Sequence, residues 1–434
     1  MTSTESTTKL RSEEILNNLK GLQSVFQNIL PERVERARSI LSEQDFPTSR
    51  QEDWKYTRTT KLSNELWKSQ PYKGKFDFSE HLIDGLDAHV IVFTNGVYNR
   101  ELSSAESTTG WSFCTLSEMN DEMLPVLQKI ESHSDQSSDA FFPAFNRAYC
   151  NDGLVIQISK NTKPEKSIHL IFIQEGELSL SNTAVHILSE RGSEANVICT
   201  YLSADGQKAW GNHFLKAHVQ ANASLNIYKI QQESENNFLI TQDDIFQEED
   251  SRFNIVTMSV EGGWIRNNLN IVMAGHNGES HLSGFSLPRN KDLVDNHTFV
   301  DHRVAHCNSN EIYKNILSDF GTGVFNGKVF VREDAQKTNA YQNNANILMS
   351  ENAQMNTKPE LEIYADDVKC SHGTTTGQID KNALFYLKSR GLGEENAIKL
   401  LTAAFINDVL DKVHIEPLKQ HINQQLVKKK LLIV

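Results

Sequence analysis

The chain lacks most of the features that announce the commoner protein classes. No run of eighteen apolar residues occurs anywhere in its 434 residues, so no segment can cross a hydrocarbon core as a helix. Met1–Thr8 is rich in serine and threonine and carries no apolar stretch, which argues against a secretory leader. Cysteine is scarce and scattered: Cys114, Cys150, Cys199, Cys307 and Cys370, an odd number with no Cys-x-x-Cys pair. Such a set predicts free thiols in a reducing, cytoplasmic setting and not a disulfide frame. Cations are also in deficit, 43 Lys plus Arg against 56 Asp plus Glu, for a net charge of −13. That balance repels phosphate backbones, so neither nucleic acid nor membrane is expected as a partner. The one basic run, Lys428–Lys430, reads as a solvated terminus.

Catalytic signatures are missing as well. There is no His-Glu-x-x-His helix and no Gly-x-Ser-x-Gly elbow. Gly321-Thr322-Gly323-Val324-Phe325-Asn326-Gly327-Lys328-Val329 imitates a phosphate-binding loop, but its glycines are one residue too far apart. Val329 stands where a magnesium-binding Ser or Thr belongs, and the segment leads into a strand pattern where such a loop needs a helix.

What remains is a globular composition, 38% hydrophobic and 23% charged. Residues 1–9 read as a disordered tail and 10–87 as a helical N-terminal domain. Ser12 can cap a helix carrying Ile15, Leu16, Leu19 and Leu22, and Pro31 opens a second with Val34, Ala37, Ile40 and Leu41. That pattern stops near Phe46-Pro47. From Ala88 the period changes to two: Val90–Phe93 runs into Asn95-Gly96, a hairpin signal. Strand patterns then recur to about residue 379 with few convincing helices. Segments starting at Val197, Leu225, Phe253 and Leu282 repeat roughly every 28 residues, a spacing of stacked units. Two strands and two corners per unit fit a β-solenoid; an antiparallel sandwich is the alternative, disfavoured by the scarcity of Asn-Gly or Asp-Gly turns there. Residues 380–434 return to helix. Asp380 can cap a helix that Gly391 ends, a second carries Ala397, Leu400, Leu401, Ala404, Phe405, Val409 and Leu410, and Pro417 opens a third.

One short motif carries chemistry. In Asp366-Asp367-Val368-Lys369-Cys370-Ser371-His372-Gly373, an extended backbone places Cys370 and His372 on one face, presenting a thiolate and an imidazole side by side. Both are iron ligands, but two donors do not close a metal site, so a partner must complete it. The bland reading is an ordinary Cys and His near a strand end. His302 and His306 lie about 13 Å apart in a strand, too far to share an ion; with Cys307 they read as satisfied polar residues at a solenoid corner.

Several stretches together resemble the SufB/SufD family of iron–sulfur cluster assembly scaffolds. They are Phe325–Lys328, Asp334–Thr338, Gln342, Lys358–Gly373, Gly377-Gln378, Phe385–Gly391 and, upstream, His302–Ser309. The Glu52-Asp53-Trp54-Lys55-Tyr56-Thr57 element and the length resemble its SufD branch; the SufB-type element around a sulfur-accepting cysteine is not found. The resemblance implies a right-handed parallel β-helix core (88–379) between helical terminal domains. It implies pairing with SufB through the β-helices and docking of the ATPase SufC on the C-terminal helices, where Phe385, Leu387, Leu401 and Phe405 are candidate contacts. It also implies a transient iron–sulfur cluster shared across an interface at His372 and Cys370, with no cofactor held tightly by the isolated chain. Such a chain is a scaffold and not an enzyme, with ATP handled by its partner, and an exposed solenoid edge suits a homodimer in isolation. The alternatives are a SufB-type paralogue, a β-helix enzyme acting on polysaccharide, which would need a carboxylate pair in a groove, and a purely structural self-assembling β-helix.

Overall fold

The computed structural model describes residues 13–429 apart from 20, 134–136 and 138. The proposed tail 1–9, the capping Ser12 and Lys430 lie outside the described residues.

Two sheets dominate. Strands of alternating pattern recur along the chain because each coil contributes one strand to each sheet. Alternate strands pair in parallel, giving a 10-stranded sheet and a 9-stranded sheet that face each other. The result is a parallel β-solenoid of about 8 turns, with helices at both ends. Only the beginning is antiparallel. There Ala88–Thr94 folds back on Val97-Tyr98 through Asn95 (φ 49°) and Gly96 (φ 83°), the mirror-image turn that the Asn-Gly pair predicts.

The repeat is real, but its phase differs from the sequence expectation. Val197 stacks on Ile227, Ile227 on Ile255 and Ile255 on Leu282. The coils are therefore 30, 28 and 27 residues long, and the starts read at Leu225 and Phe253 are two residues out of phase with the other two. A slip of two keeps every side chain on its own face, so the inward aliphatic pattern is blind to it.

The corners hold a clearer periodic signal. Asn161, Gly192, Asn222, Asp250, Asn277, His306 and Lys337 all have positive φ and recur every 27–31 residues. Asn161, Gly192, Asn222, Asp250, His306 and Lys337 each donate the backbone N–H to a carbonyl of the next coil. Asn, Asp and Gly tolerate this left-handed conformation best.

Between the sheets lies one continuous aliphatic core running from Ile91 to Phe325. Two helices that the sequence reading did not place interrupt the span in which few helices were expected: Leu124–Glu131 and Phe141–Ala148. Their apolar faces cover the outer surface of the 9-stranded sheet, where Phe141, Phe142, Phe145 and Ala148 join Trp67, Trp210 and Phe238. The N-terminal segment packs in the same layer. Its helices at 13–18 (α1) and Pro31–Glu43 (α2) bury Ile15, Leu19, Ala37 and Leu41 there. Beyond Ser63 that region has almost no regular structure before Ala88, apart from one short helical turn at Ser79–His81.

The C-terminal helices behave unequally. Thr60–Ser63 (α3), Leu124–Glu131 (α4) and Phe141–Ala148 (α5) precede them. Lys381–Ser389 (α6) is capped by the Asp380 carboxylate, which accepts from the Asn382 and Ala383 N–H groups. It ends with Leu392 N–H on Leu387 O and Gly391 N–H on Lys388 O, at the left-handed Gly391. None of its residues is buried. Glu394–Leu410 (α7) and Glu416–Lys428 (α8) instead lie on the outer face of the 10-stranded sheet. Ile406, Val409, Leu410, Leu418, Ile422 and Leu426 pack there against Tyr228, Ile230, Val256, Met258 and Phe285. The broad face expected for α7 is therefore split: Leu400 and Ala404 point to solvent, while Thr402 and Ile406 are buried. The basic run is also not simply solvated, because Lys429 is tied to Glu261 of the solenoid.

Candidate functional site

The site begins with an edge. Lys369–Gly377 is the last strand of the 10-stranded sheet and pairs only with Asn339–Leu348. Its side chains stand partly or wholly exposed, unlike those of the inner coils. As the period of two requires, Cys370 and His372 share one face. Cys370 stacks on Ala340 and His372 on Gln342. Both lower residues are buried and inward-facing, so the Cys/His pair sits where the solenoid interior opens to solvent. Cys370 is half-buried against Val368 and the Ala335–Ala340–Ala365 cluster, whereas His372 is exposed. Burial pushes the Cys370 thiol up from its ordinary value, against a backbone hydrogen bond at Ala340 that lowers it. A metal arriving there must displace that proton, which couples thiolate ligation to pH.

Among the described residues no three His, Cys, Asp or Glu side chains gather as a metal ion would need. The pair therefore offers two donors and an open remainder, and the chemistry of thiolate plus imidazole suits iron. His302, His306 and Cys307, read from sequence as polar residues at a solenoid corner, are not gathered into a site either. His302 is buried and its Nε2 pairs with the Ser309 hydroxyl at 2.9 Å. His306 occupies a left-handed corner. The Cys307 thiol is buried and donates to the Gly275 carbonyl at 3.3 Å. All five cysteines are free, and Cys370 alone is not buried.

The Trp54-Lys55-Tyr56-Thr57 element has a structural job. The Arg266 guanidinium lies 4.4 Å from the Trp54 ring, donates to the Asp53 carbonyl at 2.8 Å and pairs with Asp295 at 2.5 Å. Thr57 donates its hydroxyl to the same carboxylate, and His297 faces it at 3.1 Å. Both members of the pair are almost fully buried, which clasps the N-terminal segment to the solenoid wall.

The four C-terminal candidates separate by exposure. Phe385 is 73% exposed and Tyr386 beside it 56%. Leu387 and Leu401 are half-buried. Phe405 leans on the solenoid cluster, and the Lys314 ammonium lies 4.8 Å from its ring while donating to its carbonyl. Among the described residues of the C-terminal helices, the exposed aromatic surface is therefore that of α6.

One feature of the site escaped the sequence reading. Along Asn339–Leu348 the buried positions are Ala340, Gln342, Asn344 and Asn346. An alternation whose inward half is polar was the available signal, and it marks the end of the aliphatic core.

Fold and edge together define a class: a parallel solenoid whose exposed terminal strand carries a cysteine and a histidine on one face. Comparison with known sequences gives the family. The family model described as "SUF system FeS cluster assembly, SufBD core domain" matches residues 172–405, and "SufBD protein N-terminal region" matches 15–170. The chain is 30% identical to the iron-sulfur cluster assembly protein SufD of Escherichia coli over 87% of each sequence. It is 27% identical to an iron-sulfur cluster assembly SufBD family protein of Synechocystis over 96% of each. To the chloroplastic protein ABCI7 of Arabidopsis thaliana it is 28% identical, over 88% of this chain and 82% of the relative. The chain belongs to the SufBD family of the SUF iron–sulfur assembly system and is SufD-like. No helix among the described residues is long and apolar enough to cross a membrane.

Proposed function

We propose that this chain is the SufD-type scaffold subunit of a cytoplasmic SufB–SufC–SufD complex, with no turnover of its own. The observation that carries the reading is the open terminal strand, with Cys370 and His372 on one face and, among the described residues, no third donor gathered with them. In this reading the nascent iron–sulfur cluster is cargo, ligated partly by His372, with Cys370 its neighbour, and completed by a SufB cysteine across the interface. A neutral imidazole supplies one lone pair to iron, and the thiolate a second, softer one. The outer face beside this end supports pairing with a second solenoid. The Phe330 and Tyr364 rings pack there at a tilt with centroids 5.3 Å apart, and Tyr364 is 61% exposed. SufC docks on the C-terminal helices, with Phe385 as the main anchor and Leu387, Leu401 and Phe405 around it. The division into helical 10–87, solenoid 88–379 and helical 380–434 belongs to the same proposal.

The test is His372→Ala in the co-expressed complex, with Lys369→Ala as control because its side chain points to the opposite face. Complex yield by gel filtration stays equal in both, since neither position is buried. Bound iron and sulfide fall at least severalfold in His372→Ala and stay near wild type in Lys369→Ala. A His372→Ala complex with normal cluster content removes the imidazole from the site.

A further inference from the structure

One interior column changes character along the solenoid. Val197, Ile227, Ile255 and Leu282 stack in register, and the next three members are Glu311, Gln342 and His372. Glu311 and Gln342 are 2% and 3% exposed. Burying a carboxyl and an amide in a column that is otherwise aliphatic costs free energy unless both are bonded. The bonding is half complete. Gln342 Nε2 donates to Glu311 Oε2 at 2.7 Å, while Gln342 Oε1 is buried with no partner.

The neighbouring columns on the same two strands are closed. The Thr374 hydroxyl donates to Asn344 Oδ1, and Asn346 Nδ2 to the Thr376 hydroxyl, both at 3.3 Å. The Gln342–His372 column, next to them on the Cys370 side, is left open, with Gln342 Oε1 lacking a partner. On the opposite wall stands Gly327, where an added Cβ would run into the Gln342 amide nitrogen. The missing side chain at 327 thus makes room for this amide.

We propose that Gln342, anchored through its nitrogen to Glu311, is the positioning residue for His372: its Oε1 accepts one imidazole N–H and leaves the other ring nitrogen's lone pair facing outward for metal. This rests on His372 being a metal donor, as proposed above. The chemistry is that of metal-bound histidines generally, whose second N–H is held by an acceptor that fixes tautomer and ring plane. With the amide nitrogen committed to Glu311, the oxygen is the atom left to face the next residue of the column.

The test uses the full chain labelled with ¹⁵N-histidine, the His372 ring signals being assigned by their loss in His372→Asn. Wild type shows one tautomer at His372. Gln342→Met, close in volume but without an acceptor, shows the mixture of an unconstrained imidazole. Gly327→Ala, which displaces the amide by another route, does the same. Glu311→Gln keeps an acceptor for the Gln342 nitrogen and keeps the single tautomer. Titration with Co²⁺, followed on the same signals, weakens roughly tenfold or more in Gln342→Met. An unchanged tautomer in both Gln342→Met and Gly327→Ala overturns the positioning role. A locked tautomer in wild type with no response to Co²⁺ overturns the donor reading of His372 and leaves the positioning intact, so the two failures are distinguishable.

Discussion

Replacing Arg266 by alanine removes the cation from a buried pair that holds the N-terminal segment. The pair is 3% and 0% exposed, so neither partner can recover its hydration when the other is lost. Breaking a buried pair from one side costs about 3–5 kcal/mol, and losing the contact with Trp54 adds up to about 2. A second route checks the scale. Burial alone would raise the Asp295 carboxyl, but Arg266, His297 and Thr57 outweigh it and hold it down from 3.8 to about 2. Such a displacement is worth roughly 2–3 kcal/mol of native stability at neutral pH. Because the native value is the lower one, this contribution is fully present above pH 3.8 and is lost as pH falls through about 2. In Arg266→Ala burial prevails and Asp295 takes up a proton more readily, so the deficit against wild type is largest near pH 7 and shrinks in acid. Urea titrations at pH 7 and near pH 3, with proteolysis around residues 48–64 as the local readout, measure both effects. The pair Arg266→Met with Asp295→Leu loses much less than either single change, since no unpaired charge remains. A loss below about 1 kcal/mol for Arg266→Ala at pH 7 would refute the clasp.

Two further outcomes follow from the same reasoning. Phe385→Ser leaves thermal stability within about a degree, because the ring is 73% exposed, yet it reduces capture of SufC at least tenfold; unchanged capture removes α6 from that surface. This point change is preferable to deleting residues 383–434, which would also strip α7 and α8 from Tyr228, Val256 and Phe285. The second concerns Glu233, which burial raises to about 7 against hydrogen bonds from Ser203 and Asn237. A raised carboxyl binds its proton in the folded state between pH 4.5 and about 7, so stability falls across that window as pH rises. Glu233→Gln therefore gains about 2–3 kcal/mol near pH 8 and little at pH 4.5; an equal change at both pH values in urea unfolding rejects the assignment.

Much of this protein was legible before its coordinates. Period-two alternation, the Asn95-Gly96 turn, the Asp380 cap and the Gly391 stop are local consequences of backbone sterics and side-chain chemistry, and each stands where the sequence predicts it. Cys370 and His372 share a face for the same local reason. Register was less legible, because inward aliphatic residues repeat every two positions and a two-residue slip leaves the pattern intact. The corner residues from Asn161 to Lys337 resolve that ambiguity, since a left-handed backbone recurs at this same corner in successive coils. Contacts between distant segments were not legible at all. That Trp54 meets Arg266, that α7 and α8 cover one sheet while α6 packs beside α7 with none of its residues buried, and that a buried glutamine lies under His372 all depend on which segments end up adjacent. Strands, their faces and the shared face of Cys370 and His372 are read from residues two to four positions apart. Which side chains are buried, paired or left open at the solenoid's end depends on stacking, which brings together residues some thirty or more positions apart.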